Sequence, residues 1–173
     1  YDRWAHIIKW TENNMHSHLL GLGPEHNVSR GLKDTLHGTV YQLQVLMRAL
    51  QQLTSHNTHF RLSSEDPTAA KFDDIIIHVA KQRFCIQAKH YRSKPQLQLS
   101  QFLATKGDFS LNMYFQAFSR MLHQHPEHEL PYVILFTSAS ASHSTKLKNH
   151  FKTTPPPGAL QQLFPHGSYQ TIH

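Results

Sequence analysis

Two strand-forming stretches, Asp73 to Val79 and Arg83 to Lys89, lie so near each other in the chain that only a turn can join them. The first carries the β-branched run Ile75-Ile-Ile77 and the second alternates apolar with polar residues, both marks of paired strands. A hairpin here constrains the rest of the fold, because side chains two apart on a strand share a face and the register decides which polar groups meet. With a turn around Ala80 to Gln82, residue 74 lies opposite 89 and 76 opposite 87, which sets Asp74 roughly 5 Å from Lys89 at Cβ. Gln87 and Lys89 then point to the same side. A slip of one residue substitutes Asp73 for Asp74, so both aspartates remain candidates.

The flanking segments supply helices for this sheet. From about Thr35 to Leu53 the apolar positions Val40, Leu43, Leu46, Met47, Leu50 and Leu53 recur every three or four residues, predicting an amphipathic helix packed on a core. A short strand over His59 to Leu62 precedes the hairpin. Gln98 to Thr105 and Leu111 to His123 read as helices, and the near-continuous apolar run Tyr132 to Thr137 reads as a strand covered on both faces. Helix-like spacing around Trp4, Ile7, Ile8 and Trp10 predicts an N-terminal helical extension over residues 1–34, broken at Gly21-Leu-Gly-Pro24. A further helix is expected over Ser144 to Phe151, and a Pro-rich C-terminal segment over 153–173 that opens with a stiff, extended stretch from Thr153 to Gly158. The expectation is one domain with its core at 35–152: an α/β fold of order αβββαβ, a mixed sheet flanked by helices.

Composition narrows the function classes. Among 173 residues, 39% are hydrophobic and 16% charged, the balance of a globular chain. No apolar run approaches the roughly 18 residues of a membrane-spanning helix, and no signal segment opens the chain. It begins at Tyr1 without an initiator Met, as a module cut from a larger protein would. Seventeen Lys and Arg against 11 Asp and Glu give a net charge of +6, and 16 histidines add to it at low pH, so a polyanion is an expected partner. The single cysteine, Cys85, excludes an internal disulfide framework and fits a reducing intracellular compartment such as cytoplasm or nucleus.

The polar groups of the hairpin suit phosphodiester hydrolysis. A carboxylate and an amide oxygen are hard ligands for Mg²⁺ or Mn²⁺, and an ammonium beside them can orient water and offset phosphate charge. The competing reading is an ordinary exposed hairpin with a surface Lys and a turn-capping Asp.

Phe72-Asp-Asp-Ile-Ile-Ile-His78 followed by Ile86-Gln-Ala-Lys-His90 resembles the D…(D/E/Q)xK signature of the PD-(D/E)XK, or restriction-endonuclease-like, nuclease superfamily, in the variant with Gln in place of Glu. Gly38-Thr-Val-Tyr-Gln42 resembles the G-x-x-(F/Y)-(E/Q) helix element of its Mrr-like branch, and Phe60-Arg-Leu-Ser-Ser-Glu65 resembles its first core strand. The likeness spans about residues 35 to 137. It extends to the double-stranded DNA nuclease domains of CBASS effectors and the nuclease-like modules of cytoplasmic incompatibility factors. The resemblance implies a metal-binding Asp74, Gln87 as second ligand and Lys89 as catalytic lysine, with Gln42, Glu65 or Asp73 accessory and Glu65 a further metal ligand. It also implies Mg²⁺ or Mn²⁺ as cofactor, duplex DNA as substrate, and a toxin, defence or selfish-element setting, with a cognate inhibitor or a second copy as possible protein partners. Neither the helix element nor the xK element supplies a carboxylate here. That departure keeps a second reading open: an inactive nuclease-like module that binds protein or nucleic acid.

Other features carry plainer expectations. Lys71, His90, Arg92 and Lys94 surround the motif in sequence, with Arg61, Lys81 and Arg83, as phosphate contacts that position a strand without reading bases. His123-Gln-His-Pro-Glu-His128, with His16 and His18, could bind zinc, but its Pro126 favours a solvated loop. Tyr114, Phe115 and Phe118 at helical spacing are expected in the core, and Cys85 is a small packing residue on the side of Gln87.

Overall fold

The computed structural model describes residues 6–9, 30–56, 59–91, 96–124, 131–141, 151–153, 155, 159–165 and 168–172. In chain order its elements are β1 (His6–Lys9), α1 (Arg30–Ser55), β2 (Phe60–Ser63), a 3-10 segment (Pro67–Phe72), β3 (Ile75–Val79) and β4 (Gln82–Lys89). These are followed by β5 (Gln96–Leu97), α2 (Leu99–Leu103), α3 (Leu111–Gln124), β6 (Tyr132–Thr137), β7 (Ser140–Ala141), β8 (Phe151–Thr153), α4 (Ala159–Leu163) and β9 (Ser168–Ile172). One seven-stranded mixed sheet runs β2-β3-β4-β6-β1-β9-β8, and β5 pairs with β7 apart from it. The expected order of a helix, three strands, two helices and a buried strand is present from α1 to β6.

The termini differ from the helical and extended segments expected of them. His6–Lys9 is a strand, parallel to β6 and antiparallel to β9. Ile7 and Ile8 are β-branched, and a slot between two strands outweighs helical spacing over so few residues. α1 begins at Arg30, and the C-terminal segment holds α4 and the paired β8 and β9. The helix expected over Ser144 to Phe151 falls outside the described residues except for Phe151, which opens β8.

β4 is central, antiparallel to β3 and parallel to β6. Its faces feed two cores. Ile76, Cys85, Val133 and Leu135 meet Phe72, Phe102, Phe109, Tyr114, Phe118 and Met121 from the 3-10 segment, α2, α3 and the turn between them. Ile75, Ile77, Phe84, Ile86, Ile134 and Phe136 meet Tyr41, Val45, Ala49 and Leu53 of α1 and Leu160 of α4. Cover on both sides explains why Ile75-Ile-Ile77 has no polar alternation.

α1 turns inward a stripe that only partly matches the one its spacing suggested: Leu53 is buried and Leu46 packs against the core as expected. Tyr41, Val45, Ala49 and Leu53 are buried, whereas Val40, Leu43 and Met47 remain 42%, 53% and 60% exposed. Residues four apart form a ridge on a helix, and Ala49, 0% exposed, is the small residue that lets this ridge approach the sheet. Phe115 is likewise 54% exposed, while Tyr114 and Phe118 are core as expected. Among the described residues no helix is long and apolar enough to cross a membrane.

The hairpin turn is Ala80-Lys81, two residues long, since Val79 pairs with Gln82. Ala80 has φ 52° and is solvent-exposed. Positive φ at the first turn position is the geometry a right-twisted hairpin prefers, and it disfavours a residue with a Cβ. Ala80→Gly is expected to stabilise the fold by about 0.5–1 kcal/mol, read as a higher denaturation midpoint with an unchanged slope. Burial pushes the Cys85 thiol up to about 12. The folded protein should leave Cys85 unmodified by a thiol reagent at pH 8, and the denatured chain should react fully.

Candidate functional site

The polar residues singled out from sequence gather where β4 and β6 end, at the carboxyl edge of the parallel pair, the usual location of ligand crevices in open α/β sheets. The register differs from expectation by two residues. Ile75 pairs with Ile86, so Asp74, just before β3, comes opposite Gln87 and diagonal to Lys89. The turn is centred on Ala80-Lys81, one residue earlier than 74 opposite 89 requires, which moves the pairing by two. Because the shift is even, the three side chains keep the face they were expected to share.

Asp74 is tied directly to β4. Its Oδ2 accepts the Ala88 N–H at 2.7 Å and also accepts a hydrogen bond from the Gln87 amide Nε2. Asp73 instead closes the 3-10 segment in helical conformation, and its carbonyl accepts the Glu65 N–H at 2.7 Å. Glu65 turns into this position with φ 54°. From α1, Gln42 reaches across: its Nε2 donates to Glu65 Oε1 at 3.0 Å and to the Asp74 carbonyl at 3.3 Å. One amide therefore bridges the accessory carboxylate and the backbone of the central one.

Gln87 is 5% exposed, and Asp74 is partly buried. Burial holds the Asp74 carboxyl above the usual carboxylate range; the Ala88 hydrogen bond and the Lys89 charge oppose this, while Asp73 and Glu65 add to it. Lys89 extends past Asp74 to a residue with no signal in the sequence, placing Nζ 3.6 Å from Asp108 Oδ1. Asp108 lies in the turn between α2 and α3, where no helix or strand periodicity marks a position.

His90 leaves β4 on the opposite face. Its ring lies 5.0 Å from that of Tyr41, and its Nδ1 is 3.3 Å from Ser138 Oγ. Ser138 Oγ also accepts the Tyr91 N–H at 3.0 Å, pinning the strand as it exits the site. Lys71 sits with Nζ 5.6 Å from the centroid of the Tyr114 ring. Arg92 and Lys94 lie outside the described residues, as do His16, His18 and positions 125–128 of the histidine cluster. Arg61, His78 and Arg83 form a row across β2, β3 and β4, beyond the other end of the 3-10 segment.

Asp74, Glu65 and the Gln87 amide are oxygen donors, the set that suits a hard divalent cation such as Mg²⁺ or Mn²⁺ rather than zinc. Asp74 Oδ1 accepts no hydrogen bond among the described residues, whereas Oδ2 takes two. No group of three or more His, Cys, Asp or Glu side chains that could hold a metal occurs among the described residues. Water would thus have to complete any coordination shell around two carboxylates and an amide. Compared with family models, curated proteins and solved structures, the chain has no match.

The raised Asp74 carboxyl has a consequence for stability. A folded pKa above the unfolded value of about 3.9 leaves full stability below that value and erodes it as pH rises through the folded pKa. Asp74→Asn keeps an oxygen for the Ala88 N–H and removes the buried charge. Its melting temperature should therefore exceed that of the wild type at pH 7, with the difference shrinking toward pH 4, measured by thermal denaturation across pH.

Proposed function

We propose that this domain is a restriction-endonuclease-like, divalent-metal-dependent nuclease that hydrolyses DNA phosphodiester bonds with little sequence preference. The observation that carries this reading is the joint placement of Asp74, Gln87 and Lys89 on one face at the sheet's carboxyl edge, with Gln42 linking Glu65 to the same point. The helix, three strands, helices and parallel strand from α1 to β6 support it in their order, as does the resemblance of residues 35 to 137 to the PD-(D/E)XK superfamily.

In this reading Asp74, Gln87 and Glu65 hold Mg²⁺ or Mn²⁺, which when bound supplies Lewis-acid stabilisation of phosphate charge. Lys89 donates from Nζ to a phosphate oxygen and orients the attacking water, at the point where negative charge develops. Gln42 fixes Glu65. Lys71 is a positioning contact that carries no sequence information, while His90, on the opposite face, holds the end of β4 through Ser138.

A second reading rests on the same contacts. Asp74 Oδ2 is fully engaged by Ala88 and Gln87, and Lys89 is paired with Asp108, so the residues also form a closed internal network. A module of that kind would bind DNA or protein without cutting it.

Incubating the purified chain with supercoiled duplex, linear duplex and single-stranded DNA plus Mg²⁺ or Mn²⁺ separates the two. Cleavage is expected, abolished by EDTA and by Asp74→Asn, and lowered about 10²–10³-fold in rate by Lys89→Ala, the loss typical of a charge-stabilising donor. If the wild type cuts nothing with either metal, the binding module is the correct reading.

A further inference from the structure

Beside Lys89 lies a cleft of about 250 Å³ that none of the motif residues accounts for, lined by Tyr91, Ser100, Gln101, Lys106, Asp108 and Phe109 among others. It opens off the candidate site itself, because Asp108 both lines it and pairs with Lys89 at 3.6 Å. Its volume falls just short of the roughly 300–1,000 Å³ of pockets for drug-sized ligands and cofactors. A smaller flat group suits it.

The walls are aromatic on one side and polar on the other. Tyr91 is held in place by its N–H to Ser138 Oγ at 3.0 Å, and its ring packs 5.4 Å from that of Phe109. Phe109 is 2% exposed and packs edge-on against Phe102 at 6.1 Å, so the platform is anchored in the core. Burial and the nearby Asp108 charge hold the Tyr91 phenol above its ordinary range, leaving it a neutral hydrogen-bond donor at physiological pH. Asp108 offers acceptors, Ser100 a hydroxyl and Lys106 a cation. Gly107, with φ +124° and nothing within 4 Å of a hypothetical Cβ, leaves the rim between Lys106 and Asp108 open.

An anchored aromatic face, mixed donors and acceptors and a cation two residues from the Lys89 partner are the recognition elements of a nucleobase attached to a phosphate. We propose that this cleft receives one unpaired nucleobase of the substrate, next to the phosphate engaged by Lys89. The proposal rests on the nuclease reading and sharpens it: a base in a duplex has its pairing edge occupied and both faces stacked, so the nucleotide in the cleft comes from a single strand or is flipped out. The domain should accordingly act on single-stranded or locally opened DNA in preference to intact duplex.

The test begins with binding and needs neither metal nor turnover. The 173-residue chain is titrated with deoxythymidine, deoxythymidine 5′-monophosphate and inorganic phosphate, followed by ¹H–¹⁵N NMR. Nucleoside and nucleotide should both shift Tyr91, Ser100, Gln101 and Phe109, and phosphate alone should leave these residues in place. Tyr91→Leu should weaken both ligands about tenfold or more, the loss expected of a stacking platform. Lys106→Ala, at an exposed position that the fold tolerates, should weaken the nucleotide and spare the nucleoside. Failure of the nucleoside to shift these residues, or the same shifts from phosphate alone, overturns the proposal. An inactive protein that still binds the nucleoside keeps the cleft and loses the nuclease. An active protein that ignores the nucleoside, or cuts duplex as fast as single strand, loses only the cleft.

Discussion

The hydrogen bond from the Ala88 N–H to Asp74 Oδ2 joins the fold to the candidate site. β3 begins only at Ile75, while β4 continues to Lys89 with β6 on its other side. Past Ile86 the β4 backbone therefore needs an acceptor that β3 no longer provides, and a buried donor left unmade costs about 1–3 kcal/mol. The Asp74 side chain takes the place of the missing strand. In doing so its carboxylate is drawn into a partly buried position, from which it meets Gln87 and faces the Lys89 charge.

Everything else at the site is arranged around that carboxylate. α1 packs on one face of the sheet through Tyr41, Val45, Ala49 and Leu53, and this brings Gln42 to the sheet edge. The 3-10 segment packs on the other face through Phe72, and its two ends are Asp66, which caps it, and Asp73. Glu65 and Asp73 consequently lie near enough to Asp74 to raise its carboxyl further. The Asp73 and Glu65 charges act on Asp74 in one direction, and Lys89 opposes them. Burial of the Asp74 charge works against stability, as the raised Asp74 carboxyl records.

Asp108 extends the arrangement from a point to a surface. By pairing with Lys89 it orders that side chain, and by lining the neighbouring cleft it connects the end of β4 to the aromatic pair Tyr91 and Phe109. Ser138, immediately after β6, fixes both His90 and Tyr91, so the two parallel strands share one polar anchor where they end.

Much of this was legible in the residues themselves. Strand propensity and period-2 alternation define the 73–89 hairpin, and the same parity puts Asp74, Gln87 and Lys89 on one face whether 74 lies opposite 87 or 89, since those registers differ by two. The apolar run at 132–137 announces a strand covered on both sides because no polar residue interrupts it. Three features had no local signal. The stripe that α1 buries depended on the shape of the sheet it meets, since Val40, Leu43 and Met47 are as apolar as the residues turned inward. The strand at His6–Lys9 exists because β6 and β9, distant in sequence, offer it partners on both sides. Asp108 and Ser138 lie in turns without periodicity and reach the site only because α3 and β6 return the chain to the end of β4. Local propensity and parity determined which residues could form the hairpin and share its face; long-range packing, which no stretch of neighbours encodes, decided what stands around it.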